Sequence, residues 1–472
     1  MGYHGDAGPE DEQVPLWRRC AGLVILTLLH AMTYADRFGI AGVLPKLMKF
    51  YDINNSQSGL LSTLFMAATI VGSPIAGYFG DRYNRKMIMF VGGIFWVLIM
   101  VATSFVPEDM FWLFMVLRCI DGFSDNIVYA CAPSLIADYF FGKYRNYAFM
   151  VFYYGLNFGG QFGAIFATVI ADEYPWQWSL RLVPAITAVL LVFLFFVIQE
   201  PPRIKKEGRI KDTGLLGDVK YLLSKKTYIF VCLTRGMIAH TSGVSAWWNP
   251  DIVSNTMEWY KNISMEKYNN TFHNVNYKNY VIISMCAASV VGIAGNTILV
   301  NIAEAWKKGR GVFKNRQNFR APAIMIIICL CFMAPNIYGQ QMLLLVDLFL
   351  FLASQLFSMF WGGSFFVLAT DIIYSVTTRD RRATTIMYCY LFEHTIGDGP
   401  GPYIAGAIAD AFRGDKEDHK SEVWSLLNAF HFSMACVVPA IIFSICVFIF
   451  MKDDYQKNLE DEEAIEGLKL IL

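Results

Sequence analysis

Long apolar runs alternate with short polar segments along the whole chain. A helix needs roughly 20 mainly apolar residues to cross a bilayer core of ~30 Å. Twelve runs meet this requirement, at 19–40, 57–80, 87–106, 110–138, 146–170, 179–199, 228–253, 279–303, 322–338, 342–374, 384–410 and 426–451. The number of predicted spans is even, so we expect both termini on the same side of the membrane.

The composition agrees with this pattern. Of the 472 residues, 55% are hydrophobic and only 17% are charged, whereas a soluble domain is about a quarter charged. The formal net charge is zero, and the charges gather between the apolar runs, so a nucleic-acid partner is not expected. The sequence predicts an all-α membrane protein.

The cations indicate the orientation, because short cytosolic loops retain Lys and Arg. Loops after even-numbered spans carry most of them: Arg82, Arg85, Lys86, Lys143, Arg145, Lys307, Lys308, Arg310, Lys314, Arg316, Arg320, Arg379, Arg381 and Arg382. The N-terminal tail is acidic before Trp17-Arg18-Arg19, unlike a signal peptide, and we expect it to be retained in the cytosol. Three N-x-[ST] glycosylation acceptors, Asn54, Asn262 and Asn269, fall in the opposite loops, as that orientation requires.

These observations divide the chain into five parts. We predict a cytosolic N-terminal tail at 1–18, a six-helix bundle at 19–199, a basic cytosolic linker at 200–227, a second six-helix bundle at 228–451 and a cytosolic tail at 452–472. Two six-helix halves joined by such a linker resemble the major facilitator fold. Carriers of that fold bind substrate between the halves near the membrane midplane.

The turn between the second and third spans reads GYFGDRYNRK. It resembles the major facilitator signature G-x-x-x-D-R-x-x-R-[KR] at Gly77, Asp81, Arg82, Arg85 and Lys86. Glycine permits close helix contact, and Asp81 can pair with cations or a helix N-terminus, so the motif predicts a cytosolic gate. A simple positive-inside anchor is the alternative; it explains Arg85 and Lys86 but not the spacing.

Longer segments resemble the Spinster family of lysolipid transporters. They are YADRFGIAGVLPKL at 34–47, the GDRYNRK turn, APSLIADYF at 132–140, WWNP at 247–250 and IGDGPGPYIAGAIAD at 396–410. The resemblance implies alternating-access transport of a lysophospholipid or sphingoid phosphate, such as lysophosphatidylcholine or sphingosine-1-phosphate. It also implies that transport is coupled to protons and that membrane lipids are partners of the protein.

Ionisable residues inside spans are costly and therefore mark candidate functional sites. The first span contains Asp36 and Arg37, and the fourth contains Arg118, Asp121 and Asp125. In the family, a G-E-A segment follows in span four and its Glu is linked to proton coupling; Asp125, in SDN, stands at that position. We expect Asp36, Arg37 and Asp125 to recognise the headgroup and the proton, with Arg118 and Asp121 in support. The alternative is a buried ion-pair network that only fixes helix packing.

In the second half, His394 matches the histidine of the family pattern G-H-x-x-G-D, with Glu393 in place of the first glycine, and Asp398 lies in the same span. His394 is expected either to join a proton relay or to bond between helices. Phe366 stands where the family carries a tryptophan. This substitution leaves the wall of the cavity between the two halves apolar but removes an indole N–H donor.

Several other classes are disfavoured. Neither H-E-x-x-H nor G-x-S-x-G occurs, so we expect no enzyme activity, metal site or cofactor. Two alternatives to a lysolipid carrier stay open: a carrier of small organic anions or sugars, and a non-transporting lipid sensor.

The tail ends EAIEGLKLIL, in which Glu466, Leu470 and Ile471 fit an acidic dileucine pattern read by sorting adaptors. It favours the late endosomal or lysosomal membrane over the plasma membrane. A frayed amphipathic tail is the alternative.

Overall fold

The structure, a computed structural model, describes residues 14–140, 142–200, 214–378, 382–414 and 418–471. Within these ranges the chain forms helices and no β-strand. The first six helices are α1 (Leu16–Tyr51), α2 (Asn55–Arg82), α3 (Arg85–Thr103), α4 (Phe111–Tyr139), α5 (Gly142–Glu173) and α6 (Ser179–Val197).

Eleven further helices follow. They are α7 (Gly214–Leu223), α8 (Lys226–Ile263), α9 (Met265–Phe272), α10 (Tyr277–Lys308), α11 (Ala321–Leu344), α12 (Leu348–Gly362), α13 (Phe365–Val376), α14 (Arg382–Glu393), α15 (Gly401–Arg413), α16 (His419–Met434) and α17 (Val437–Ile471). A π-helical turn, His394–Asp398, joins α14 to α15.

The twelve predicted spans all fall on these helices. Spans ten, eleven and twelve each consist of two helices with a break between them, α12–α13, α14–α15 and α16–α17. Among the described residues, seven helical segments are long and apolar enough to cross a membrane by length and composition alone. Of the other five spans, α4 contains three ionisable residues, Arg118, Asp121 and Asp125.

By their contacts, the helices form two compact units. Unit 1 comprises Met1–Ile53 and Leu64–Ile204, and unit 2 comprises Asn54–Thr63 and Lys205–Leu472. The first turns of α2 therefore belong to unit 2. There the Ser56 N–H donates to Asp410 Oδ2 over 2.8 Å, and the Thr63 hydroxyl donates to the Gly399 carbonyl over 2.7 Å.

Unit 1 is built around contact between α1 and α5. Gly163 lies so close to α1 that a Cβ placed on it would be 2.1 Å from the Ala35 carbonyl oxygen. The Thr168 hydroxyl donates to the Gly42 carbonyl over 3.1 Å on the same seam. Small residues allow membrane helices to approach this closely. The contact fixes the stretch of α1 that carries Asp36.

The boundary between spans nine and ten differs from the prediction. The sequence pattern starts the tenth span at 342, but α11 continues to Leu344 and α12 begins at Leu348. Asp347 ends the connection, because its Oδ1 accepts hydrogen bonds from the N–H groups of Phe349 (2.8 Å) and Leu350 (3.1 Å). An aspartate in this N-cap position satisfies donors that a new helix leaves free.

The C-terminal helix continues well beyond the end of the predicted span at 451. Its polar part packs on unit 2: Asp454 Oδ2 accepts a bond of 2.6 Å from the Thr227 N–H, and Asp461 Oδ2 lies 3.0 Å from Lys225 Nζ. Asn458 donates to the Ser375 carbonyl over 3.2 Å. The segment from 452 to 461 is therefore a docked helix.

Candidate functional site

A charged triad lies inside unit 1, where α1 meets α4. Arg118 Nη1 lies 3.0 Å from each carboxylate oxygen of Asp36, and it also donates to Asp121 Oδ2. All three side chains are buried; Asp121 has no exposed surface. The structure thus brings together Asp36, Arg118 and Asp121, which the sequence proposed as candidates.

Helix contacts in unit 1 position this triad. A Cβ on Gly122, in α4, would lie 2.2 Å from the Phe65 carbonyl oxygen of α2, so only glycine fits at this crossing. The Thr69 hydroxyl donates to the Gly122 carbonyl over 2.9 Å. The ring of Phe65 lies 5.1 Å from the Arg118 guanidinium and covers it.

The triad combines one guanidinium with two carboxylates. Uptake of a proton by either carboxylate would change the charge of a buried group by one. Charge inside a membrane-spanning bundle is costly, so the triad is a candidate site for proton exchange.

Arg37 has a different environment, although it follows Asp36 directly. It is partly exposed, contacts the Met66 sulfur and lies 5.8 Å from the ring centroids of both Tyr34 and Phe65. The sequence left open which arginine pairs with the carboxylates. The structure pairs Arg118 with Asp36 and Asp121 and places Arg37 beside aromatic rings.

Several predicted site residues lie outside the described part of the structure. Asp125 belongs to α4, one turn after Asp121, but its side chain is not described. The same holds for Gly77, Asp81 and Arg82 in the predicted gate, and for Glu466, Leu470 and Ile471 in α17. Their proposed roles stay predictions.

The last two residues of the gate motif are described. Arg85 Nη2 lies 2.7 Å from Asp138 Oδ2 at the end of α4, and Arg85 Nε lies 2.8 Å from Glu200 Oε1. The Lys86 N–H donates to Glu200 Oε2 over 3.2 Å, and Lys86 Nζ lies over the ring of Phe195. Arg85 therefore ties the start of α3 to the ends of α4 and α6.

Unit 2 contains a second buried charge pair, which the sequence analysis missed. Arg235 of α8 donates through Nε and Nη2 to Glu393 Oε2, over 2.9 and 2.6 Å. Arg235 was detectable as the one arginine within the seventh predicted span. Glu393 was noted only as a departure from the family pattern.

The π-helical turn follows Glu393 directly. His394 Nδ1 lies 2.8 Å from Asp398 Oδ1, and the His394 ring stacks on Tyr390 with centroids 6.2 Å apart. Gly397 has non-helical backbone angles, φ −94° and ψ −109°. Asp398 is thus the partner of His394 within the turn, while both predicted roles of His394 stay open.

The predicted glycosylation acceptors differ in exposure. Asn54 caps α2, because its Oδ1 accepts a bond of 2.8 Å from the Gln57 N–H. Asn262 is exposed in the last turn of α8, and Asn269 is half-buried in α9.

In the described residues, no group of three or more His, Cys, Asp or Glu side chains is placed to hold a metal ion.

Comparisons with known proteins identify the family to which this architecture belongs. The family described as Major Facilitator Superfamily matches residues 26–397. Protein spinster homolog 1 of Xenopus tropicalis is 30% identical over 84% of this chain and 73% of its own length. The sphingosine-1-phosphate transporter SPNS2 of Danio rerio is 26% identical over 92% of this chain and 84% of its own length.

A solved structure shows the same fold. It is a bacterial homolog of the human lysosomal transporter Spinster, crystallised in an inward-facing, unoccupied conformation. The two chains share 19% identity and a TM-score of 0.68, with 94% of this chain and 99% of the other covered. The protein therefore belongs to the Major Facilitator Superfamily and, within it, to the Spinster family.

Proposed function

We propose that this protein transports a lysophospholipid or a sphingoid phosphate by alternating access, coupled to protons. The observation that carries the proposal is the buried triad of Asp36, Arg118 and Asp121, which places two carboxylates beside one guanidinium. The substrate class is supported by the relatives, one of which is named a sphingosine-1-phosphate transporter.

The triad would carry the proton. A proton taken up or released by Asp36 or Asp121 would change the charge of this buried group. Asp125 lies one turn further along α4 and is the next candidate in this path.

The headgroup would bind at Arg37. This side chain is partly exposed, while Arg118 is buried against two carboxylates. A guanidinium offers several N–H donors to a phosphate, and the rings of Tyr34 and Phe65 beside it provide apolar surface for the lipid.

The motif at 77–86 would act as the cytosolic gate. Arg85 supports this role because it joins three helix ends through Asp138 and Glu200. The parts played by Gly77, Asp81 and Arg82 belong to the proposal by sequence alone.

We further propose a late endosomal or lysosomal membrane as the location, with the plasma membrane as the alternative. The support is the tail pattern at Glu466, Leu470 and Ile471, which sorting adaptors would read. Glycans at Asn262 and Asn269 would mark the luminal side.

Transport by purified protein in liposomes tests this function. Labelled lysophosphatidylcholine and sphingosine-1-phosphate are offered with and without an imposed pH gradient, to the parent protein, to Asp121→Asn and to Asp125→Asn. Asp172→Asn is the matched control, because Asp172 pairs with Lys46 on the surface of unit 1. We expect gradient-driven flux in the parent and in the control, and loss of the response to the gradient in the other two variants.

Each alternative has its own outcome. Binding without flux would identify a lipid sensor. Flux of a small organic anion or a sugar, with neither lipid bound, would identify a carrier of that class. Lipid flux that ignores both the gradient and the two variants would leave an uncoupled lipid carrier and remove the proton role of the triad.

A further inference from the structure

Arg235 lies deep in a membrane-spanning helix of unit 2. It is nine residues beyond Lys226, the first residue of α8, which places it about 14 Å along the helix axis. The predicted span begins at 228, seven residues before Arg235, so Arg235 would lie about 10 Å inside a bilayer core of ~30 Å. Only 2% of the residue is exposed.

Polar groups and aromatic rings surround the flat guanidinium of Arg235. Nη1 faces the Thr370 hydroxyl at 3.3 Å and the Phe366 carbonyl at 3.5 Å. The rings of Phe366 and Tyr390 lie 5.0 and 5.2 Å from its centre. The remaining two nitrogens, Nε and Nη2, both donate to the same oxygen of Glu393.

A pair of this kind is a poor device for stability. Taking two charges out of water costs about as much as their attraction returns, and apolar residues of similar size often serve as well. The pair also borders an irregular backbone, since the π-helical turn begins at the next residue. π-helical turns are frequent at functional sites.

We propose that Arg235 is a second anion-recognition residue of the transporter, and that Glu393 occupies its donors until a lipid phosphate replaces it. The inference rests on the proposed function, because it names the chemical group that this site selects. Two parallel N–H donors match two phosphate oxygens, and the third nitrogen, Nη1, donates to the Thr370 hydroxyl at the same place. Phe366, Thr370 and Tyr390 are only half-buried, so the pair lies directly beneath the surface of unit 2.

The exchange conserves charge. At the start, the positive Arg235 and the negative Glu393 sum to zero. When a phosphate oxygen carrying one negative charge takes the two N–H donors, Glu393 leaves them and takes up one proton. The final state again sums to zero, and one proton has entered with one negative charge.

Other titratable groups lie close to the Arg235–Glu393 pair and to the π-helical turn. Tyr228 and Cys232 on α8 interact with Arg235 and with Cys389 on α14, and the Tyr390 ring lies 5.2 Å from Arg235. His240 on α8 interacts with Asp398, the partner of His394. The side that faces α13 contributes the neutral Thr370. The His394–Asp398 pair begins at the residue that follows Glu393.

Binding of labelled sphingosine-1-phosphate to the purified full-length protein tests the proposal, with sphingosine and inorganic phosphate as competitors. Glu393→Gln imitates the protonated state and frees Arg235. We expect this variant to bind sphingosine-1-phosphate about tenfold more tightly at pH 7.5, and its affinity to change little between pH 5.5 and 7.5. The parent is expected to bind more tightly at pH 5.5 than at pH 7.5.

The other variants separate recognition from packing. Arg235→Gln and the double variant Arg235→Gln/Glu393→Gln should each lose about tenfold in affinity for sphingosine-1-phosphate while binding sphingosine as the parent does. Glu304→Gln is the matched control, because Glu304 forms an exposed ion pair with Lys308 at the end of α10 and should leave both affinities unchanged. If the Arg235–Glu393 pair were purely structural, these substitutions would change the affinities for sphingosine-1-phosphate and for sphingosine equally.

Each result has one meaning. If the parent binds neither lipid, the proposed function fails. If the parent binds sphingosine-1-phosphate and Glu393→Gln binds it no better, the exchange at Arg235 is overturned while the function stands. If Glu393→Gln does not fold, the charge-neutral double variant decides, and a parent-like preference for the phosphate in that variant overturns the proposal. Competition by inorganic phosphate alone, without lipid, would identify a free-phosphate site and overturn the lipid assignment.

Discussion

Replacing Arg118 by Met should destabilise the protein strongly, because it removes the guanidinium that contacts the buried carboxylates of Asp36 and Asp121. Unit charges about 4 Å apart attract by about 4 kcal/mol at an effective dielectric constant of 20. Arg118 has two such partners, and some of the loss is recovered when a carboxylate takes up a proton. Removing one member of a buried ion pair typically costs about 3–5 kcal/mol, and we expect Arg118→Met to fall in this range.

The assay is thermal unfolding in detergent at pH 7.5, followed by intrinsic tryptophan fluorescence, together with denaturant unfolding where it is reversible. Arg181→Met is the matched control. Arg181 is also partly buried in unit 1, but it donates to the Ser104 hydroxyl and lies over aromatic rings. Its loss should cost about 1 kcal/mol, as for an ordinary hydrogen bond.

A third variant separates charge from shape. Asp36→Asn/Arg118→Met/Asp121→Asn removes all three charges, and we expect it to regain most of the stability lost in Arg118→Met. The reasoning would be refuted if Arg118→Met unfolded no earlier than Arg181→Met. It would also be refuted if the triple variant were as unstable as Arg118→Met, because packing and not charge would then hold the triad.

Three further predictions concern stability. Gly163→Ala should cost about 3 kcal/mol or more, because a Cβ would meet the α1 backbone, while Gly292→Ala, with nothing within 4 Å, should be neutral or slightly stabilising in the same melting experiment. The hydrogen bond from His273 lowers the pKa of Asp347. The stability lost in Asp347→Asn should therefore not shrink between pH 7 and pH 5 and should disappear only below about pH 4. A loss of stability that has vanished by pH 5 would contradict this. Asp454→Ala should lower the melting temperature, because it removes the acceptor of the Thr227 N–H in the first turn of α8; an unchanged value would mean that this contact contributes nothing.

Much of the fold could be predicted from the sequence. Apolar length alone gives twelve spans, because a bilayer fixes how many residues a crossing needs. The ends of the spans were less predictable, since α8 and α17 continue past the bilayer on contacts made with other helices. The break before Asp347 had a local signal, an aspartate between two apolar runs, but that signal is weaker than the hydropathy that surrounds it.

The sequence could identify the charged residues of the site but not which of them form ion pairs. Intramembrane charge identified Asp36, Arg118 and Asp121, and the structure joins them. The choice of Arg118 over Arg37 as the partner depends on which faces of α1 and α4 meet, and the sequence does not contain that information. Arg235 and Glu393 are 158 residues apart and could be connected only by the packing of α8 against α14.

The docked C-terminal helix has a practical consequence for spectroscopy. From 452 to 471 the helix extends about 30 Å beyond the predicted span, without a break after Val437. A fluorophore attached at Leu459, which is 44% exposed, would be held on a rigid rod with no flexible tether between the dye and unit 2. Distances measured from this position by energy transfer would follow the motion of unit 2 itself, and the label would lie outside the membrane-spanning helices.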